Sequence, residues 1–159
     1  MPSKSQVHVR RLEMRDFGFV RDLAAKQANF TIPPPYVLWL LLKIEGHICL
    51  IAEDVEAGPV GYALAVPVEN PPDSLFIWQL AVSTEGPAHT VVRTLLSELR
   101  DCAEPKHIQA IVFSTIADSP IFRAIRRDVL AVFGREPSRM DILPQFVAPN
   151  ETEYRIDLQ

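Results

Sequence analysis

The sequence predicts an α/β domain with a mixed, mostly antiparallel sheet flanked by helices on both faces. Three observations carry this. Strand-like runs at 47–53 (HICLIAE), 60–66 and 75–82 follow one another across short turns, so they form an antiparallel meander. An amphipathic helix separates the last of them from another strand at 108–114, and a strand–helix–strand unit of this kind makes a parallel pair. The run 75–82 (LFIWQLAV) is almost continuously apolar, as a strand covered on both faces must be.

Each element has its own local reason. Residues 7–12 open the chain with a strand. A helix follows over 16–27, where Asp16 is placed to cap it and Phe17, Val20, Leu23 and Ala24 recur at helical spacing. Pro33, Pro34 and Pro35 interrupt the chain, and because proline is accommodated in a first helical turn, 36–43 forms a second, short helix. Ala57, Gly58 and Pro59 turn the chain between the first two meander strands, and 70–74 (NPPDS) turns it into the third. After 83–90, Val91, Val92, Leu95, Leu96, Leu99, Cys102 and Ala103 share one helix face, with Arg93, Thr94, Glu98, Arg100 and Asp101 on the other. Asp118, Ser119 and Pro120 open the last helix. Its expected buried side is Ile121, Phe122, Ile125, Val129, Leu130 and Phe133, and Gly134 ends it. Residues 154–158 (YRIDL) close the sheet. The expected order is β-α-α-β-β-β-α-β-α-β.

With 159 residues the chain supports one core, so 1–159 reads as a single domain. Twenty acids against sixteen bases give a net charge of −4, which argues against nucleic acid or an anionic membrane as the main partner. Residues 1–16 hold no long apolar run, and the longest, 36–42, is far short of a membrane span. A cytoplasmic location is therefore expected. Cys49 and Cys102 fit neither a zinc pattern nor a disulfide framework and read as buried free thiols. His8, His47, His89 and His107 are scattered, and no metal site is expected.

Three stretches carry a family likeness: 36–42 (YVLWLLL), 75–82 (LFIWQLAV) and 151–158 (ETEYRIDL). Together with the element order, they resemble the GCN5-related N-acetyltransferases, and within that superfamily the diaminobutyrate acetyltransferases of ectoine synthesis. Only LFIWQLAV is specific. The resemblance implies an acyl-CoA N-acyltransferase fold, acetyl-CoA as cofactor and a small-molecule amine as acceptor. It places the pantetheine arm along Leu80, Ala81 and Val82, and the pyrophosphate on the loop and helix start at Ala88, His89 and Thr90. There the family pattern has a basic or amide residue and glycines, whereas this chain has Glu85, Ala88 and Thr90. A carboxylate at that point repels phosphate and a Cβ obstructs backbone approach. Two readings stay open: an enzyme with a divergent phosphate loop, and a non-catalytic relative keeping the fold as a binding module.

Acetyl transfer needs a neutral amine, a proton acceptor and donors for the oxyanion. Gln79 and Tyr36 are the catalytic candidates: Gln79 to orient the amine, Tyr36 as a general acid. Trp78, Tyr36 and Ser114 are candidates for lining the acceptor pocket. Each also has a plain structural role available, as strand packing for Trp78 and Gln79 and helix-start packing for Tyr36. The last helix offers Phe122 and Phe133, neither with a proton to give. Asp118 reads as a cap or turn residue, and Arg123, Arg126 and Arg127 as a solvated face. Members of the superfamily often dimerise, and Ile142, Leu143, Phe146 and Val147 could form such a contact or cover the end of the core.

Overall fold

The computed structural model describes residues 6–159. Strand β1 (Val7–Arg11) leads through a 3-10 turn (Met14–Asp16) into α1 (Phe17–Ala25) and then α2 (Pro35–Leu41). Strands β2 (Ile48–Asp54), β3 (Gly58–Val68) and β4 (Ser74–Val82) form the expected antiparallel meander. Helix α3 (Ala88–Ala103) crosses to β5 (Ala110–Ile116), which lies parallel to β4, and α4 (Pro120–Phe133) follows. The chain ends in a hairpin of β6 (Ser138–Ile142) and β7 (Glu151–Asp157). The seven strands lie in the order β1-β2-β3-β4-β5-β7-β6.

The sheet separates two apolar layers. Helices α3 and α4 bury Val91, Leu95, Leu96, Leu99, Phe122 and Val129 against Ile48, Leu50, Ala63, Ile111 and Phe113. On the opposite face α1 and α2 bury Val20, Leu23 and Leu38 against Cys49, Ile51, Tyr62 and Leu64. Adjacent residues of β2 therefore enter opposite layers, which is why that strand carries no polar alternation. Gly61 is the point of closest approach: a Cβ there would stand 2.8 Å from Val91 Cγ1 and 2.9 Å from the Ala81 carbonyl oxygen.

Several expectations are corrected. Strand β6 was not foreseen, because SRMDI has no apolar run and its residues are mostly exposed at the sheet edge. Asp16 occupies the start of α1 without capping it. Its carboxylate instead accepts from Arg10 and from the Glu13 N–H. Of the residues expected to open α4, Ser119 is the cap, accepting from the Phe122 N–H, and Asp118, read as a cap or turn residue, takes a left-handed turn conformation. Ile121 and Leu130 are exposed, because the buried stripe of α4 is centred on Phe122, Asp128 and Val129. Cys49 is buried and Cys102 only half-buried. Ile142, Phe146 and Val147 are exposed, Phe146 at 90%, and so do not cover the core.

Candidate functional site

The site begins with a break in the sheet. Strands β4 and β5 pair only from Ser74–Ala110 to Ile77–Phe113. Beyond that point β5 stays bonded to β7 as far as Ile116, while β4 stays bonded to β3 as far as Val82. The two central strands therefore splay, and the edge of β4 facing β5 has no ladder partner from Trp78 onward. Open backbone donors and acceptors inside a sheet call for an extended chain that carries its own amides. The backbone of Leu80, Ala81 and Val82 forms this edge.

A β-bulge lies where the splay starts. Leu64 of β3 faces Gln79, yet Ala65 faces Ile77, so Trp78 is the extra residue. The bulge switches the side-chain parity of β4. Leu75 and Ile77 enter the α3/α4 layer, whereas Ala81 enters the α1/α2 layer. Gln79 follows Ala81. It is 5% exposed, accepts from the Tyr62 hydroxyl at 2.8 Å and donates to the Thr31 carbonyl at 2.7 Å. Its amide thus ties β4 to β3 and to the segment ahead of α2. Arg21 Nε adds a second tie by donating to the Pro33 carbonyl at 3.1 Å. Burial pushes the Tyr62 phenol well above its ordinary range, so Tyr62 acts as a neutral donor.

The other predicted acceptor residues lie around this end of the sheet. Trp78 is partly buried against the α1/α2 layer. Tyr36 is 66% exposed and stacks on Trp39, whose ring also receives the Lys43 ammonium. Ser114 sits just past the last β4–β5 pair, and its hydroxyl donates to Glu151 at 3.2 Å. Glu153 follows two residues on. Burial first, and the charge of Asp141 second, raise its carboxyl above the ordinary range. Since Ile111 and Phe113 enter the α3/α4 layer, and so do Tyr154 and Ile156, strand alternation sends Ser114, Glu151 and Glu153 to the α1/α2 side, the side of Gln79.

The loop after β4 leads straight into α3. The Ala88 N–H donates to the Gly86 carbonyl and the Val91 N–H to the Pro87 carbonyl. Among the described residues the N–H groups of His89 and Thr90 have no backbone partner and no side chain caps the helix. Glu85 and Thr90 are exposed, and Gly86 has open space on its Cβ side. Beside this turn lies a feature the sequence reading missed. Asp128 of α4 is 2% exposed and accepts from Arg93 Nε at 2.8 Å, with His89 Nδ1 at 3.0 Å. Tyr62, Glu151, Glu153 and Arg93 also escaped notice. The available signals were a tyrosine amid the apolar strand VGYALAV and an aspartate at a core position of an amphipathic helix. Phe122 of α4 is packed between helix and sheet, stacked on Tyr154 at 4.4 Å. Among the described residues no group could hold a metal ion, and no helix is long and apolar enough to cross a membrane.

The meander and the parallel crossover through α3 give the fold of the acetyltransferase structures on which the chain superposes. The likeness read from LFIWQLAV holds at the level of particular proteins. The chain is 24% identical over 144 residues to the L-2,4-diaminobutyric acid acetyltransferase of Bordetella parapertussis, which covers 91% of this chain and 76% of that one. It superposes on the diaminobutyrate acetyltransferase of Paenibacillus lautus, solved with L-2,4-diaminobutyric acid and coenzyme A, with a TM-score of 0.78, 20% identity and coverage of 96% and 95%. The Ard1 structure from Thermoplasma volcanium gives the same TM-score at 11% identity, covering 96% of this chain and 98% of that one. No protein-family model matches the chain.

Proposed function

We propose that this protein is an acetyl-CoA-dependent N-acetyltransferase for the amine of a small molecule, acting in the cytoplasm. The observation that carries the reading is the unpaired edge of β4 beyond Ile77. It offers an extended amide-bearing arm the backbone of Leu80, Ala81 and Val82, and only a narrow chain fits between two strands of one sheet. The likeness to a diaminobutyrate acetyltransferase supports the reading, and a diamine of that type is the first acceptor to test.

Acetyl-CoA supplies the activated acyl group as a thioester. This chain's residues bind and orient. Backbone N–H groups of the open β4 edge would donate to the acyl oxygen as it gains charge. The free N–H groups of His89 and Thr90, with Ala88 at the head of α3, would hold the phosphates. On the α1/α2 side, Glu151 and Glu153 attract an ammonium group, with Ser114, Trp78 and Tyr36 lining the approach. Gln79 acts by positioning, since both ends of its amide are engaged. The same reading includes a homodimer, for which exposed Ile142, Phe146 and Val147 supply an apolar patch.

Thermal unfolding tests the proposal. A ligand that binds only the folded state at about 100 times its Kd adds roughly 2.7 kcal/mol, several degrees in Tm for a domain of this size. An upward shift with acetyl-CoA, followed by release of free thiol on adding a diamine, is expected. No shift at millimolar acetyl-CoA would sink the proposal. A shift without turnover of any amine would favour the binding-module reading.

A further inference from the structure

Asp128 is the most buried carboxylate among the described residues, yet it serves two half-exposed side chains, Arg93 and His89. A buried carboxylate needs a charged partner, and one bidentate arginine would satisfy it. The arrangement here is different. Arg93 spends only Nε on Oδ1, and His89 spends only Nδ1, so neither Arg93 Nη nor His89 Nε2 has a partner among the described residues. His89 and Arg93 stand one helical turn apart on α3, at 56% and 45% exposure, and Asp128 reaches them from α4. Two side chains with long reach are thus held in place while the Arg93 Nη atoms and His89 Nε2 stay open to solvent. A protonated imidazole donates from both nitrogens, and a guanidinium retains four N–H bonds on its Nη atoms. The pair adjoins the unpaired N–H groups of His89 and Thr90.

We infer that Asp128 positions His89 and Arg93 as a braced basic pair that binds a phosphate group of the acyl-CoA. This rests on the acyltransferase reading. It explains how the loop tolerates Glu85 and lacks the family's glycines: side-chain donors on the first two turns of α3 replace close backbone approach to the phosphates. Asp128 touches no ligand and acts through the other two.

The test compares acetyl-CoA with acetyl-pantetheine, which has the thioester arm and no phosphate, by calorimetric titration of the full chain. Arg93→Gln and His89→Gln each leave Asp128 one of its two partners, and thermal unfolding of each variant checks that the fold is kept. Each should weaken acetyl-CoA binding roughly 10-fold, the loss of a charge-assisted hydrogen bond, and leave acetyl-pantetheine unchanged. Asp128→Asn keeps the volume but loosens its hold on both side chains, and it should lower the acetyl-CoA to acetyl-pantetheine affinity ratio in the same way. A merely structural role would lower Tm and leave that ratio alone, and this result would overturn the inference. So would tighter acetyl-CoA binding by Asp128→Asn. Wild-type protein that binds acetyl-CoA with an affinity unaffected by His89 and Arg93 overturns the inference alone. Wild-type protein that binds neither compound overturns the acyltransferase reading with it.

Discussion

Replacing Gln79 by methionine tests the central claim about the acceptor side. The side chain keeps its length and loses both hydrogen bonds. The Tyr62 hydroxyl, on a residue with no solvent exposure, is left as a buried donor without a partner. That costs about 2 kcal/mol. The Thr31 carbonyl lies in an exposed segment and turns to water, adding little. For a domain of this length, 2 kcal/mol is a fall in Tm of roughly 4–8 °C. Urea unfolding of wild type, Gln79→Met, Tyr62→Phe and the double variant measures it. Tyr62→Phe alone should cost a similar amount, because it strands the buried Gln79 oxygen. The double variant removes both partners, so its cost should fall short of the sum of the singles by about 1 kcal/mol or more. The functional consequence is separate. Without its tie to Gln79, the segment carrying Thr31 loses its hydrogen bond to the sheet and keeps the one from Arg21 at Pro33, so the acceptor KM should rise more than kcat falls. Additive single costs, or a Gln79→Met cost below about 0.5 kcal/mol, would refute the claim that this amide is the clasp.

Two further outcomes follow from other parts of the fold. Gly61→Ala places a methyl group 2.8 Å from Val91 and 2.9 Å from the Ala81 carbonyl, and the latter is backbone that cannot rotate away. The variant should lose about 1–3 kcal/mol by overpacking, and by displacing Ala81 it should weaken acetyl-CoA binding as well. Melting and titration read the two effects. At the other end of the sheet, Arg10 binds Asp16 through two contacts of 2.8 Å and Glu53 at 2.6 Å. Burial alone would raise the Asp16 pKa, but the hydrogen bonds from Arg10 and from the Glu13 N–H outweigh it, and the net direction is down. Arg10 also lowers Glu53. Carboxylates lowered by folding stabilise above their unfolded pKa, and that stability is lost as pH falls through the folded one. Arg10→Met should therefore cost roughly 2–4 kcal/mol at pH 7. The gap from wild type should narrow as the pH drops below about 4, where the unfolded carboxyls protonate. A pH-independent gap in urea unfolding would refute it.

Strands β2 to β5 and helix α3 were legible because burial on two faces writes itself into sequence as continuous apolar runs and a wide helical stripe. Strand β6 was not, because an edge strand with charges and almost no burial leaves no periodic trace. The bulge at Trp78 was hidden for a related reason. LFIWQLAV reads as a strand apolar on both sides, and the parity switch between Ile77 and Gln79 leaves that description intact. The switch is what carries Gln79 into contact with Tyr62, so the clasp depends on a backbone irregularity that no residue pattern announces. Asp128 had left a trace that could be read. It lies three residues after Ile125 and one before Val129, on the buried stripe of α4, where an acid must find a cation on another element. Grouping the helix by its basic run Arg123, Arg126 and Arg127 directed attention to the solvent face. Those arginines proved exposed, with Arg126 held by Glu136 on the same surface. The more informative charge was the one out of phase with them. A charged residue in phase with the core is the stronger pointer to a site, because burial obliges it to fix its partners in place, while a charge on the solvent face fixes nothing.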